Sequence, residues 1–331
     1  MIRLPSEWEK QEAVMLTFPH PKSDWIYCLD EIEKTYIKMV EAISKYQKCI
    51  VLCDDISRVK NLLRSIDNPN IIYTQIPTND TWIRDYGAID VFDGDNVVSY
   101  DFTFNGWGEK FDATLDNQAN QNIYKQKLFS NPLKKIDFAL EGGSIDTNGK
   151  GVLLTTKKCL LEKNRNPSYS LQDIDRFLKE IFGLNHILWL ENGYLEGDDT
   201  DSHIDTLARF IDEKSIAYIK CEDKYDIHYH ELKEMEKELK YSGFELYPLP
   251  QPSPIFQENE RLPATYINFL LINGAVLIPK YNQIEKDEKV FTFFKSFYKN
   301  RDIIPIDSTT LIKEHGSIHC ATMNRWATLK G

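Results

Sequence analysis

Short apolar runs recur along this chain, and four pairs of them flank a tight-turn signal. Residues 88–92 and 97–102 flank Asp93-Gly94, and residues 144–146 and 152–155 flank Asn148-Gly149. Residues 207–211 and 216–219 flank Asp212-Glu213-Lys214, and residues 268–272 and 275–278 flank Asn273-Gly274. Asn-Gly and Asp-Gly supply the positive φ of tight hairpin turns, so each pair predicts a β-hairpin. The turns recur every 55 to 64 residues. Between them lie helix-like stretches. Residues 29–43 place Leu29, Ile32, Tyr36, Met39, Val40 and Ile43 on one face, and residues 171–181, 230–239 and 284–298 are charged with spaced apolar positions. Short apolar strands are expected at 13–18, 50–53, 71–76 and 187–190.

One hairpin, one helix and one strand per ~60 residues makes about five units in this length. The pattern predicts a quasi-repeated α/β architecture, taken as a single domain over residues 1–331. Asp85, Glu141 and the His203/Asp205 pair each stand just before the first strand of a hairpin. Units arranged about an axis would bring these distant residues into one central funnel.

Composition fits a soluble globular protein, with 42% hydrophobic and 27% charged residues. No apolar run approaches the ~20 residues of a membrane span, and the first residues carry no apolar signal segment. A cytoplasmic location, without membrane partners, is expected. Six cysteines in 331 residues are too sparse for a disulfide framework and are expected to be reduced. The net charge of −11 disfavours nucleic acid and is compatible with a small cationic ligand.

Candidate chemistry follows from that last point. A guanidinium offers five N–H donors in a planar fork, and carboxylates on opposite sides can each accept a pair. Asp85 and Asp205 suit that role, although Asp85 follows Arg84 and could equally form a surface ion pair. Two residues apart on a strand, His203 and Asp205 would share a face. His203 is open to general acid/base, metal-binding or structural readings. Cys320 is a nucleophile if a neighbouring cation lowers its pKa, and otherwise an inert thiol like the other five. Glu141-Gly-Gly143 allows close backbone approach, or is simply a turn. No Cys-x-x-Cys or His-Glu-x-x-His spacing supports a metal, and none is expected. His228 and His230 open a charged helix and are expected to face solvent.

Together these segments resemble the agmatine deiminases of the guanidine-modifying superfamily. The resemblance rests on Trp82-Ile-Arg-Asp-Tyr-Gly87, Phe104-Asn-Gly-Trp-Gly108, Glu141-Gly-Gly143, Gly197-Asp-Asp-Thr-Asp-Ser-His-Ile-Asp205, Leu262-Pro-Ala-Thr-Tyr-Ile-Asn268 and Ser317-Ile-His-Cys-Ala-Thr322, in the family's order, with Pro5-Ser-Glu-Trp-Glu9 as an opening. It departs from the family at Ala88, where proline is common, and at Ser202 and Ser317, where glycine is usual. Ala321, Met323 and Asn324 also differ.

The resemblance implies a five-bladed α/β propeller (pentein) of ββαβ units around a central funnel. It implies a cysteine hydrolase that converts agmatine to N-carbamoylputrescine and ammonia, with no cofactor. Cys320 would attack the guanidinium carbon, Asp85 and Asp205 would hold its nitrogens, Glu141 would orient substrate or His203, and His203 would shuttle protons. Trp82 or Trp107 would cover the alkyl chain and Asp199 would meet the far amine. Arginine or peptidyl-arginine deimination, a non-catalytic polyamine-binding protein and an amide-cleaving cysteine hydrolase are the alternatives. The partner expected is a small cationic guanidine, and a homo-oligomer is left open.

Overall fold

A computed structural model describes residues 1–328, so the last three residues of the expected 1–331 domain lie outside the described part. The predicted hairpins are present. Ile89–Asp93 pairs antiparallel with Asn96–Thr103, Ile145–Thr147 with Val152–Thr156, Ala208–Phe210 with Ser215–Lys220, and Leu270–Ile272 with Ala275–Lys280. At the Asn273-Gly274 turn, Gly274 has φ +74°, the conformation for which the turn signal selects.

The second strand of each hairpin then pairs in parallel with a third. These third strands are Leu133–Ala139, His186–Leu190, Glu245–Pro250 and Asp302–Asp307. The crossovers carry helices Asp116–Lys125, Leu171–Phe182, Tyr229–Lys240 and Ile284–Phe297. Such an excursion is what a parallel pair requires, since a tight turn cannot join parallel strands.

A fifth sheet repeats the pattern from both ends of the chain. Thr322–Trp326 pairs antiparallel with Gln11–Thr17, which pairs in parallel with Lys48–Cys53, and that in turn with Ile71–Gln75. The crossover helix here is Leu29–Ser44, whose face of Ile32, Tyr36, Met39, Val40 and Ile43 is fully buried. Among the described residues no helix is long and apolar enough to cross a membrane.

A small two-stranded sheet of Phe256–Gln257 and Glu260–Arg261 stands apart from these five. In each of the five, the antiparallel pair is preceded by a short segment bearing polar side chains. Asp85 lies on the single turn Ile83–Tyr86, Glu141 just before Gly142–Ser144, Asp205 on Ile204–Leu207, Asn268 before Leu270–Ile272, and Cys320 before Thr322–Trp326. His203 and Asp205 therefore do not share a strand face as expected. His203 stands at the N-cap position of the one-turn helix Ile204–Leu207, whose second residue is Asp205, and the turn rather than a pleat aims both inward. The solvent-facing expectation also fails for His228. It is 1% exposed, with Nδ1 against Asp226 and Gln251 and Nε2 accepting from the Glu196 N–H at 2.7 Å, whereas His230 is exposed.

Candidate active site

These approach segments hold one another through a sequence of bonds. The Arg84 N–H donates to the Cys320 carbonyl at 3.1 Å, and the Gly143 N–H to Asp85 Oδ1 at 2.9 Å. Asn268 Nδ2 donates to the Asp205 carbonyl at 3.2 Å, and the His319 N–H to Asn268 Oδ1 at 2.9 Å. Gly143 lies where the segments crowd most. A Cβ there would stand 2.7 Å from His203 Nδ1, 2.8 Å from Asp85 Oδ1 and 3.1 Å from Asp205 Oδ2. One at Gly142 would stand 2.2 Å from the Arg84 carbonyl. The paired glycines thus admit protein side chains and backbone rather than ligand.

A cavity of about 110 Å³ opens above them. Asp85, His203, Asp205 and Cys320 lie in its wall, with Trp82, Trp107 and Asp199. Asp24, Asp80, Asp198 and Glu314 add further carboxyl groups, while the only basic side chains in the lining are His203 and His315. Like charges in a confined space resist ionisation. Burial, together with Asp24, Glu314 and Asp199, pushes the Asp80 carboxyl up to about 7. Glu314 and Asp199 are also raised, by burial first and neighbouring carboxylates after it. A bound cation would relieve all of these groups at once.

Of the expected site residues, Glu141 alone lies outside the cavity wall. It sits behind His203, with Oε1 accepting from Arg165 Nε at 2.8 Å. Arg165 also reaches Asp201 Oδ2 at 2.7 Å and the Thr200 carbonyl at 3.0 Å, which anchors the loop leading into His203. In that loop Asp201 and Ser202 have φ of +66° and +67°. This is the left-handed region where glycine costs least, which explains the family's glycine at Ser202. Here Asp198 Oδ2 accepts the Ser202 N–H at 2.6 Å and Thr156 Oγ1 donates to the Ser202 carbonyl at 2.8 Å, fixing the turn. At the other departure, where proline is common, the Ala88 N–H donates to Asn120 Oδ1 at 2.9 Å.

The two tryptophans are packed and also line the cavity. Trp107 donates from Nε1 to Asp85 Oδ2 at 2.9 Å and meets Phe104 edge-on at 4.9 Å. Trp82 packs on Trp25 at 5.7 Å and lies against Gly316, where a Cβ would come within 2.4 Å of the indole. The surface ion pair considered for Arg84 and Asp85 does not form. Both are buried, and Arg84 instead donates to Asn324 Oδ1 at 2.6 Å.

The titratable groups of the cavity are electrostatically distinct. Burial would lower His203, but Asp85 at 3.6 Å, the adjacent Cys159 and Glu141 outweigh it and lift its pKa well above the ordinary value. Burial keeps Cys159 itself raised and thus a thiol at neutral pH, leaving Asp85 and Glu141 as the charges that hold an imidazolium. Burial and the charges of Asp205 and Asp85 push the Cys320 thiol far up, so the resting group is protonated. Its Sγ lies 3.7 Å from Asp205 Oδ2 and 3.2 Å from Asn268 Nδ2. Among the described residues, Glu141, Cys159 and His203 are the one set of three donors close enough to share a metal ion, and Arg165 already bonds Glu141.

Sequence reasoning gave no role to Cys159, Asp80, His315 or Glu314. Nothing in their local spacing marks them. Asn268 was visible only as the end of a family-like segment.

Over residues 3–325 the sequence matches the Porphyromonas-type peptidyl-arginine deiminases, and the chain belongs to that family. An agmatine deiminase of Pseudomonas aeruginosa is 28% identical, aligned over 99% of this chain and 96% of its own. An agmatine deiminase of C. jejuni, solved as a cysteine-to-serine variant with substrate bound, is 46% identical. It covers 100% of this chain and 98% of its own, with a TM-score of 0.96. The fold alone extends to an amidinotransferase of Microseira wollei, 12% identical with a TM-score of 0.53 over 100% of this chain and 99% of that one.

Proposed function

We propose that this chain is an agmatine deiminase, which hydrolyses agmatine to N-carbamoylputrescine and ammonia through an amidino-thioether on Cys320. What carries the reading is the convergence of Cys320, His203, Asp85 and Asp205 on one cavity whose outer wall is acidic. The guanidinium lies between Asp85 and Asp205, and Trp82 and Trp107 flank the butyl chain. The far ammonium meets Asp199, Asp80 and Glu314. Arginine would bring its carboxylate into that acidic region, where His315 is the one basic side chain of the lining and the nearby Lys110 is already bonded to Asp201 and the Asp199 carbonyl. The lining therefore favours an amine terminus over an amino acid.

Bound substrate also activates the nucleophile. Its positive charge neutralises the two aspartates that hold Cys320 protonated, and the thiol loses its proton to solvent as the cation seats. The thiolate attacks the guanidinium carbon, giving a neutral tetrahedral adduct. His203 protonates one amino nitrogen, ammonia leaves, and a cationic amidino-thioether stays on Cys320. Neutral His203 then takes a proton from the incoming water, which adds to the same carbon. Expulsion of the Cys320 thiolate releases the urea product, and the hydroxyl proton ends on ammonia. One residue thus serves as acid and then as base, and the sulfur divides a difficult hydrolysis into two easier steps. Asp85 and Glu141 keep His203 charged, and Arg165 holds Glu141 and the loop leading into His203 in place.

The five sheets fit the blades of a propeller, which we take as a single catalytic domain in the cytoplasm. The order of bonded neighbours supports that arrangement, since Cys320, Arg84-Asp85, Gly143, His203-Asp205 and Asn268 are neighbours in turn, returning to Cys320. Ammonia release measured with agmatine, arginine and a peptidyl-arginine tests the substrate. Agmatine should be turned over fastest; preferential formation of citrulline would replace this reading with an arginine deiminase.

A further inference from the structure

We propose that Glu7 and His319 form a relay behind the cavity that orients Asp205 and keeps it anionic, making His319 a positioning residue for the reaction. This inference rests on the deiminase reading. His319 Nδ1 lies 2.7 Å from Asp205 Oδ2, and Nε2 lies 2.8 Å from Glu7 Oε2. Glu7 is itself fixed, because Oε2 also accepts from Arg209 and Oε1 accepts the Leu271 N–H at 2.6 Å. Arg209 is fully buried and stacks on Phe269 at 4.3 Å. The opening Pro-Ser-Glu-Trp segment thereby reaches a residue in the cavity wall through one imidazole.

The geometry separates the two oxygens of Asp205. Oδ2 is occupied by His319, while Oδ1 is buried with no partner and is free for a guanidinium N–H. Glu7 and His319 do not line the substrate cavity. They line a second cavity of about 60 Å³, with Arg84 and Asp146, while Asp205 faces only the first. His319 therefore acts through Asp205 and does not touch substrate.

Two carboxylate oxygens at these distances cannot both be satisfied by a neutral imidazole, which has one N–H. The charged groups around the relay set the balance. Burial, Arg209 and Arg84 outweigh Glu7 and Asp205 and lower the His319 pKa, so the imidazolium is disfavoured although two carboxylates face the ring. His203, Cys320 and Asp85 face Asp205 from the cavity side. The imidazolium donates to both carboxylates, and the neutral ring donates to Asp205 in its Nδ1–H tautomer, the form the relay uses.

The test is kcat/KM for agmatine across pH in folded His319→Ala, His319→Asn and Glu7→Gln enzymes. His319→Ala should lose about 100-fold, the scale expected when a buried carboxylate loses its partner. Its acid limb, which Asp85 sets in the wild type, should move to higher pH, because Asp205 without its donor protonates more readily and becomes the group that limits activity on the acid side. His319→Asn offers an amide donor near the Nδ1 position and should recover about tenfold. Glu7→Gln should fall between wild type and His319→Ala, and it serves as the deciding variant if His319→Ala does not fold. Wild-type kcat/KM and an unmoved acid limb in the folded variants would overturn the relay, as would His319→Asn behaving no better than a folded His319→Ala. Wild-type protein that releases ammonia from no guanidine would instead overturn the deiminase reading.

Discussion

Asp85 and Asp205 face the same cavity and are assigned the same ligand, yet their surroundings push them in opposite directions. Asp85 accepts from two neutral donors, Trp107 Nε1 and the Gly143 N–H, and lies 3.6 Å from His203. Burial, with Asp205 and Glu141 adding like charge, raises it to about 6. Asp205 is as deeply buried, and burial pulls the same way. The His319 hydrogen bond and the nearby charges of His203 and Arg209 overcome it and hold the carboxyl below its usual range. Burial alone therefore does not decide whether a buried carboxylate is ionised; the donors and charges that face it do. The site keeps one secure negative charge on Asp205 and a second, on Asp85, that depends on His203 or the substrate.

The largest expected effect separates chemistry from this binding pair. Cys320→Ser should cut ammonia release by about 10⁴-fold or more while calorimetry still detects agmatine. Full turnover by that variant would remove Cys320 as nucleophile. Next in size are the carboxylates themselves. Asp205→Asn should lower kcat/KM by about 10³-fold and Asp85→Asn by about 10²-fold, because Asp205 carries the more secure charge of the two and lies beside Cys320 Sγ. Equal losses in steady-state assays would erase the asymmetry.

The pH profile sharpens the same contrast. In the proposed role Asp85 must be anionic to hold the guanidinium, and its pKa is raised to about 6. Wild-type kcat/KM should thus fall as pH drops through that value, and Asp85→Asn should lack this limb. An unchanged limb in the variant would assign it elsewhere. The smallest effect is expected from Trp107→Phe, which removes the 2.9 Å bond to Asp85 Oδ2. A lost bond to a carboxylate should cost about tenfold in kcat/KM and shift the acid limb upward. A downward shift would mean that Trp107 does not stabilise the Asp85 anion.

Much of the fold was legible in the sequence because hairpin turns and amphipathic helices are local signals. Residues 171–181, 230–239 and 284–298 match helices Leu171–Phe182, Tyr229–Lys240 and Ile284–Phe297 to within two residues. Four turns were visible for five sheets, since the fifth pairs Thr322–Trp326 with Gln11–Thr17 and has no turn of its own. Strand Glu245–Pro250 was obscured by Pro248 and Pro250, which strand patterns disfavour. Asp85, His203, Asp205 and Cys320, which line one cavity, were singled out through motif order. Their environments were not, because Trp107, His319, Arg209 and Arg165 come from distant segments. The His203-x-Asp205 spacing was read with strand geometry, yet both residues reach the cavity from a single helical turn.

The most direct test of the account is to quench the wild-type enzyme during turnover of agmatine and determine the mass of the peptide containing Cys320. The account predicts an amidino adduct of the substrate on Cys320 that forms and decays with turnover and is absent from Cys320→Ser. Sustained turnover with Cys320 unmodified at every time point, or with the adduct on another cysteine, would contradict it.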